Sequence, residues 1–168
     1  VTLAPTHPRS IRLAALLLLY QIDLRGDSES EDIRQGAVGV ALDAVADGDE
    51  DDEALAGALG ALRDETAAGD AFELATSAYR DRRAADEAVR ALAPEWPAVR
   101  QPAMDRAILR LAHYEMTSGR TPAKAAVNEA VELAKAFGGE RSPAFVNGVL
   151  DKVLKRVLAE QTDANANG

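Results

Sequence analysis

The residues best suited to chemistry gather in one short stretch, AFGGERSPAFVNGVLDKV at 136–153. Phe137, Arg141, Phe145 and Asn147 stand within it, and Lys135 just precedes it. Such a set can hold single-stranded RNA. Aromatic rings stack on unpaired bases, cations meet phosphates, and an asparagine reads a base edge or a phosphate. Free N–H groups at the start of a helix add an anion-friendly feature. A plainer reading competes: the two phenylalanines staple two helices together as core. On spacing alone the staple is preferred. The punctuation between the rings is helix grammar. Gly138-Gly139 reads as a stop through the left-handed conformation, and Ser142-Pro143 as a cap followed by a first helical residue.

Other chemistries find no constellation. The chain has no cysteine, which excludes disulfides, thiolate metal sites and cysteine nucleophiles. His7 lies near the N-terminal end, and His113 has no second histidine nearby for a metal. Glu115, two positions on, should face away from it. The acidic run DGDEDDE at 47–53 lacks the glycine and glutamate spacing of a calcium loop and reads as a solvated connector. With no strand pattern, no strand-to-helix phosphate loop is available. Binding is therefore expected rather than catalysis, with no cofactor and no metal.

The elements that must position these residues are helices. The 168 residues are 47% hydrophobic but only 4% aromatic, and alanine and leucine dominate. Helical periodicity recurs over 9–24, 31–46, 53–68, 72–92, 104–116, from Thr121, and after Ser142. The fold expected is all-α, about seven helices in two packed bundles, within one domain spanning 1–168. Residues 27–71 read as an acidic, alanine- and glycine-rich expansion whose charge fits partial disorder. Residues 159–168 read as a flexible tail. APEWPAVRQP at 93–102 breaks the chain, with Trp96 as a lid on a bundle. The apolar run LAALLLLY at 13–20 is too short to span a bilayer, and QIDLRGD after it offers no cleavage site. A soluble, cytoplasmic protein is expected.

The net charge of −9 argues against nucleic acid until its distribution is considered. Residues 23–73 carry 16 acidic and 3 basic side chains, whereas 103–158 carry 9 basic and 6 acidic. The acidity belongs to one segment.

Three strings carry a family resemblance: RAILRLAHYEM (106–116), PAKAAVNEAVELAKAFGGE (122–140) and SPAFVNGVLDKV (142–153). They resemble the NusB family of bacterial transcription antitermination factors. The likeness extends more weakly to LLLLYQIDL (16–24), the Asp86 region and Trp96, and fades over 27–71. The resemblance implies an all-helical protein that binds boxA-type single-stranded RNA of ribosomal RNA leader transcripts together with NusE, a small-subunit ribosomal protein. The pair helps RNA polymerase read through terminators. By the same resemblance, Lys135, Phe137, Arg141 and Phe145 match a region of RNA contact, and Tyr20 an aromatic near RNA. Asp105, Arg106, His113 and Glu115 match the side facing NusE. Asn128 and Asn147 read first as polar fasteners between helices. NusB-like folds can also form homodimers.

The family often begins with an arginine-rich segment, but here only Arg9 and Arg12 precede the leucine run. Fewer phosphate contacts imply weaker RNA binding alone and more reliance on the protein partner. Two alternatives stay open. One is a helical adaptor that keeps the NusE face with little RNA affinity. The other is a detached RNA-binding module related to those preceding some RNA cytosine methyltransferases.

Overall fold

A computed structural model describes residues 3–26, 29–47 and 52–168. These residues form α1 (Pro8–Arg25), α2 (Ser30–Asp47), α3 (Glu53–Arg63), α4 (Glu65–Arg80), α5 (Arg82–Leu92), α6 (Ala103–Thr117), α7 (Ala123–Phe137) and α8 (Ser142–Ala166), with a 3-10 turn at Ala98–Arg100. No strand occurs among the described residues, as the periodicity implied. Eight helices stand where about seven were expected, because the stretch after Glu53 is cut twice. Asp64 swings to extended backbone (ψ 129°), and its Oδ1 accepts the Ala67 N–H at 2.8 Å. That is an N-cap, and it starts a new helix rather than extending the old one. The second cut falls at Asp81.

The chain divides into two compact units, Val1–Tyr79 and Arg80–Gly168. In the first, α1 packs against α2 and α3. Every residue from Leu13 to Leu19 is buried, so the helix is apolar all round and forms the centre of the unit. His7 caps α1 by accepting the Arg9 N–H on Nδ1, and Gly26 ends it at φ 66°, a conformation cheap only for glycine. Gly57 lets α3 approach closely, since a Cβ there would meet Ser10 Oγ and the backbone of Leu3. Arg34 ties α2 to α3 by donating to the Leu62 carbonyl at 3.2 Å. It also pairs with Glu31, whose carboxyl is held below the usual range by hydrogen bonds from Gln35 and then Arg34.

The acidic segment supplies α2, α3 and the start of α4. Its small residues turn inward, with Ala37, Ala41, Ala58 and Ala61 fully buried. Glu31, Asp32, Asp43 and Asp47 are exposed, and Asp64 is half-buried. Asp52 caps α3 by accepting the Ala54 and Leu55 N–H groups. Residues 27–28 and the 48–51 part of the acidic run lie outside the described residues.

In the second unit α7 and α8 form a hairpin, α6 packs on both, and α5 packs on α6 and α8. Periodicity places Val146, Val149, Leu150, Val153, Leu154 and Val157 of α8 inward; all are buried except Leu154, which is half-buried. The helix continues to Ala166 through the residues read as a tail, all of them exposed. An ion pair and a second polar contact clamp the α5 region to α6. The buried Arg110 makes a forked pair with Asp86 (Nε–Oδ1 2.9 Å, Nη2–Oδ2 2.7 Å), and His113 Nδ1 lies 2.9 Å from Asp81 Oδ2. Among the described residues, no helix is long and apolar enough to cross a membrane.

Removing one partner of a buried ion pair takes away the main compensation of the other charge. Asp86→Ala is therefore expected to cost about 3 kcal/mol, read as a lower urea midpoint with the unfolding slope unchanged. A midpoint equal to wild type would show that the pair does not hold α5.

Candidate functional site

The turn between α7 and α8 opens onto a cleft of about 590 Å³. Trp96, Gln101, Pro102, Asp105, Arg141 and Phe145 contribute to its walls. Phe145 meets Trp96 edge to face, with centroids 6.4 Å apart and planes at 64°. Trp96 is 51% exposed and Arg141 is exposed, so one aromatic face and one cation are open to solvent. The Arg141 guanidinium has no intramolecular partner among the described residues.

A hydrogen-bond chain shapes the cleft floor. The Gly139 N–H donates to Ser142 Oγ at 2.9 Å, and Ser142 Oγ donates to Asp105 Oδ2 at 2.9 Å. Asp105 is 4% exposed, and its Oδ1 has no partner within the described protein. The loop bearing Trp96 is tied down in turn. Arg106 Nη1 donates to the Ala98 carbonyl at 2.9 Å, and Gln101 Nε2 donates to the Trp96 carbonyl at 3.0 Å.

Two expectations about this turn need correction. Gly138 does not end α7 through left-handed backbone; it is extended at φ −85°, and the positive-φ glycines among the described residues are Gly26 and Gly119. Glycine is needed for room, because a Cβ at Gly138 would run into the Ala134 carbonyl and the Ser142 side chain. Nor is Ser142 the cap. Arg141 holds that position without a side-chain bond, and the Ser142 hydroxyl is turned towards Asp105 and Gly139.

The structure brings together Phe145 and Arg141 on the cleft, with Phe137 half-buried at the end of α7. Phe145 meets Trp96 edge to face, and among the described residues no ring pair joins it to Phe137. Lys135 is exposed and pairs with Glu132 at 2.9 Å, an exposed contact of little energetic weight. Asn128 and Asn147 are exposed, and neither fastens two helices among the described residues. Arg9, Arg12 and Tyr20 lie on α1 in the first unit; Arg9 is exposed, and Arg12 and Tyr20 are half-buried. On α6, Asp105, His113 and Glu115 are buried, at 4%, 7% and 2% exposure, while Arg106 is half-buried. Among the described residues, no group of His, Cys, Asp and Glu could hold a metal ion.

Sequence reasoning took Trp96 for a lid, and it missed Gln101 and Ser142 as parts of the cleft. The signal for Trp96 was its place in a proline-broken loop. No local pattern could have linked Ser142 to Asp105, 37 positions apart.

Residues 9–155 match the sequence profile of the NusB family. The chain belongs to the NusB family. Curated relatives include the transcription antitermination protein NusB of Chloroflexus aggregans, 48% identical over 79 residues, or 45% of this chain and 53% of that protein. Its counterpart in Anaeromyxobacter dehalogenans is 51% identical over 72 residues, or 43% and 51%. The chain thus spans about half the length of the curated relatives it matches. Among solved structures, NusB of T. maritima superposes with a TM-score of 0.63 at 27% identity, covering 92% of this chain and 93% of that one. A crystal structure of antitermination factors NusB and NusE in complex with dsRNA shares the fold, with a TM-score of 0.61 at 22% identity over 88% and 96% of the two chains.

Ser142→Ala removes the acceptor for Gly139 and a donor to a buried carboxylate. It is expected to cost about 1–3 kcal/mol, read as a lower melting temperature with helical circular dichroism retained. Unchanged melting would show that the hydrogen-bond chain does not hold the turn.

Proposed function

We propose that this NusB-family chain is a transcription antitermination factor that takes boxA-type single-stranded RNA into the α7–α8 cleft. The observation that carries the reading is the cleft wall, where Trp96 and Phe145 present rings beside the free guanidinium of Arg141. Rings supply stacking that any base satisfies, and the cation supplies the phosphate attraction. The names of the curated relatives support antitermination. The fold shared with a protein crystallised with NusE and dsRNA supports an RNA and a NusE partner. Lys135, Phe137 and Asn147 would flank the bound strand.

NusE would dock against the α6 side of the second unit. Asp105, His113 and Glu115, being buried, would shape that face from beneath, and Arg106 would be its more accessible member. Arg9, Arg12 and Tyr20 would contribute RNA contacts from α1. The assembly would act on RNA polymerase in the cytoplasm by binding alone, without catalysis.

Trp96 is the single tryptophan, so its emission reports on the cleft. Single-stranded boxA-type RNA is expected to quench it, and a scrambled strand or a duplex to do so more weakly. Phe145→Ala should lower affinity about tenfold, since a stacked base is worth about 1–3 kcal/mol. Arg141→Glu should weaken binding and flatten its salt dependence. Equal, feeble binding of all RNAs beside firm binding of NusE would establish the adaptor instead.

A further inference from the structure

A second cleft, of about 330 Å³, lies on α5 and is lined by Arg83, Asp86, Glu87, Arg90 and Ala98. Arg83 and Arg90 are seven residues apart, which places them on one helix face about 10 Å apart along the axis. Both are exposed, and no hydrogen bond or ion pair engages either guanidinium among the described residues. The neighbouring acids are largely consumed inside the fold. Asp86 is forked onto Arg110, and Asp81 faces His113. Glu87 stands between the two arginines as the one exposed carboxylate among the residues of the cleft, so this surface keeps a positive excess.

The loop at 93–102 joins this cleft to the aromatic one. Ala98 lines the α5 cleft, while Trp96, Gln101 and Pro102 line the other. The exposed Arg100 sits two residues beyond Ala98, at the end of the 3-10 turn. A strand stacked on Trp96 therefore has a basic surface within reach on the other side of the same loop. Arginine suits phosphate there, because its fork donates in two directions at once.

We propose that the α5 cleft is a second phosphate site, which extends the RNA footprint from the aromatic cleft over the 93–102 loop to Arg83 and Arg90. The site rests on the RNA reading given above but uses different residues. It carries no sequence preference, since phosphate contacts position a strand without reading it.

The test uses the full chain and two single-stranded RNAs sharing one boxA-type core, of about 6 and about 14 nucleotides, within the range of known single-strand sites. The Arg83→Glu/Arg90→Glu variant should bind the short RNA as wild type does and lose about tenfold on the long one. Its slope of log affinity against log salt on the long RNA should fall by about 1.4, for two lost phosphate contacts. The Arg83→Gln/Arg90→Gln variant should show a smaller loss in the same direction. Melting should be unchanged, because neither side chain has a partner among the described residues. Wild-type affinity and slope of the double-Glu variant on the long RNA would overturn the site. So would weakened binding of NusE with RNA binding intact, which would make α5 a protein-docking face. If Phe145→Ala leaves short-RNA affinity unchanged while the double-Glu variant still weakens the long RNA, the aromatic cleft fails and the α5 site stands.

Discussion

The carboxylate of Asp105 lies under the α7–α8 turn, almost wholly out of water, and answers to the hydroxyl of Ser142. Burying a charged oxygen is costly unless hydrogen bonds offset it. The same hydroxyl accepts the Gly139 N–H, so one serine joins α6, the turn and the start of α8. The joint demands glycine at 138, where a side chain would displace that serine. It also sets where α8 begins, and so where Phe145 projects. The aromatic wall and the open guanidinium of Arg141 follow from a polar contact neither residue makes.

Around this joint the second unit is stiffened by contacts of the same kind. Arg106 and Gln101 hold the Trp96 loop through its carbonyls, so a proline-broken segment with little helix of its own is fixed as a wall. Arg110 and His113 draw the acids of the α5 region onto α6. That use of the acids leaves Arg83 and Arg90 without an ion-pair partner among the described residues, on a chain whose net charge is −9. Net charge speaks to solubility and long-range steering, whereas recognition depends on which charges remain open at a site.

Much of the fold was legible in the sequence. Of the α8 stripe that the 3.6-residue period implies, Val146, Val149, Leu150, Val153 and Val157 are buried and Leu154 is half-buried, and the all-round apolar α1 lies at the centre of its unit. The break at Asp64 escaped because aspartate inside a run of helix formers looks like an exposed helical residue until its side chain is seen to cap. The inward face of the acidic segment is built from alanines, whose burial leaves little hydrophobic contrast to read. At the candidate site, residue types singled out the α7–α8 corner but gave the wrong ring partner for Phe145. The ring it meets lies across the unit at Trp96, and contacts so distant in sequence leave no periodic trace. Asp105, His113 and Glu115, matched to the side facing NusE, are buried, which their residue types do not signal because polar side chains are seldom buried unless held by partners elsewhere in the fold.

The central claim is that unpaired bases lie against the Trp96–Phe145 wall. Ultraviolet crosslinking of the intact chain to boxA-type single-stranded RNA, followed by mass spectrometry of the adducted peptides, addresses it most directly. Adducts on peptides holding Trp96 and residues 137–147, suppressed by excess unlabelled boxA-type RNA and less so by a scrambled strand, are the predicted result. Adducts confined to other peptides, or equal competition by the two RNAs, would contradict it.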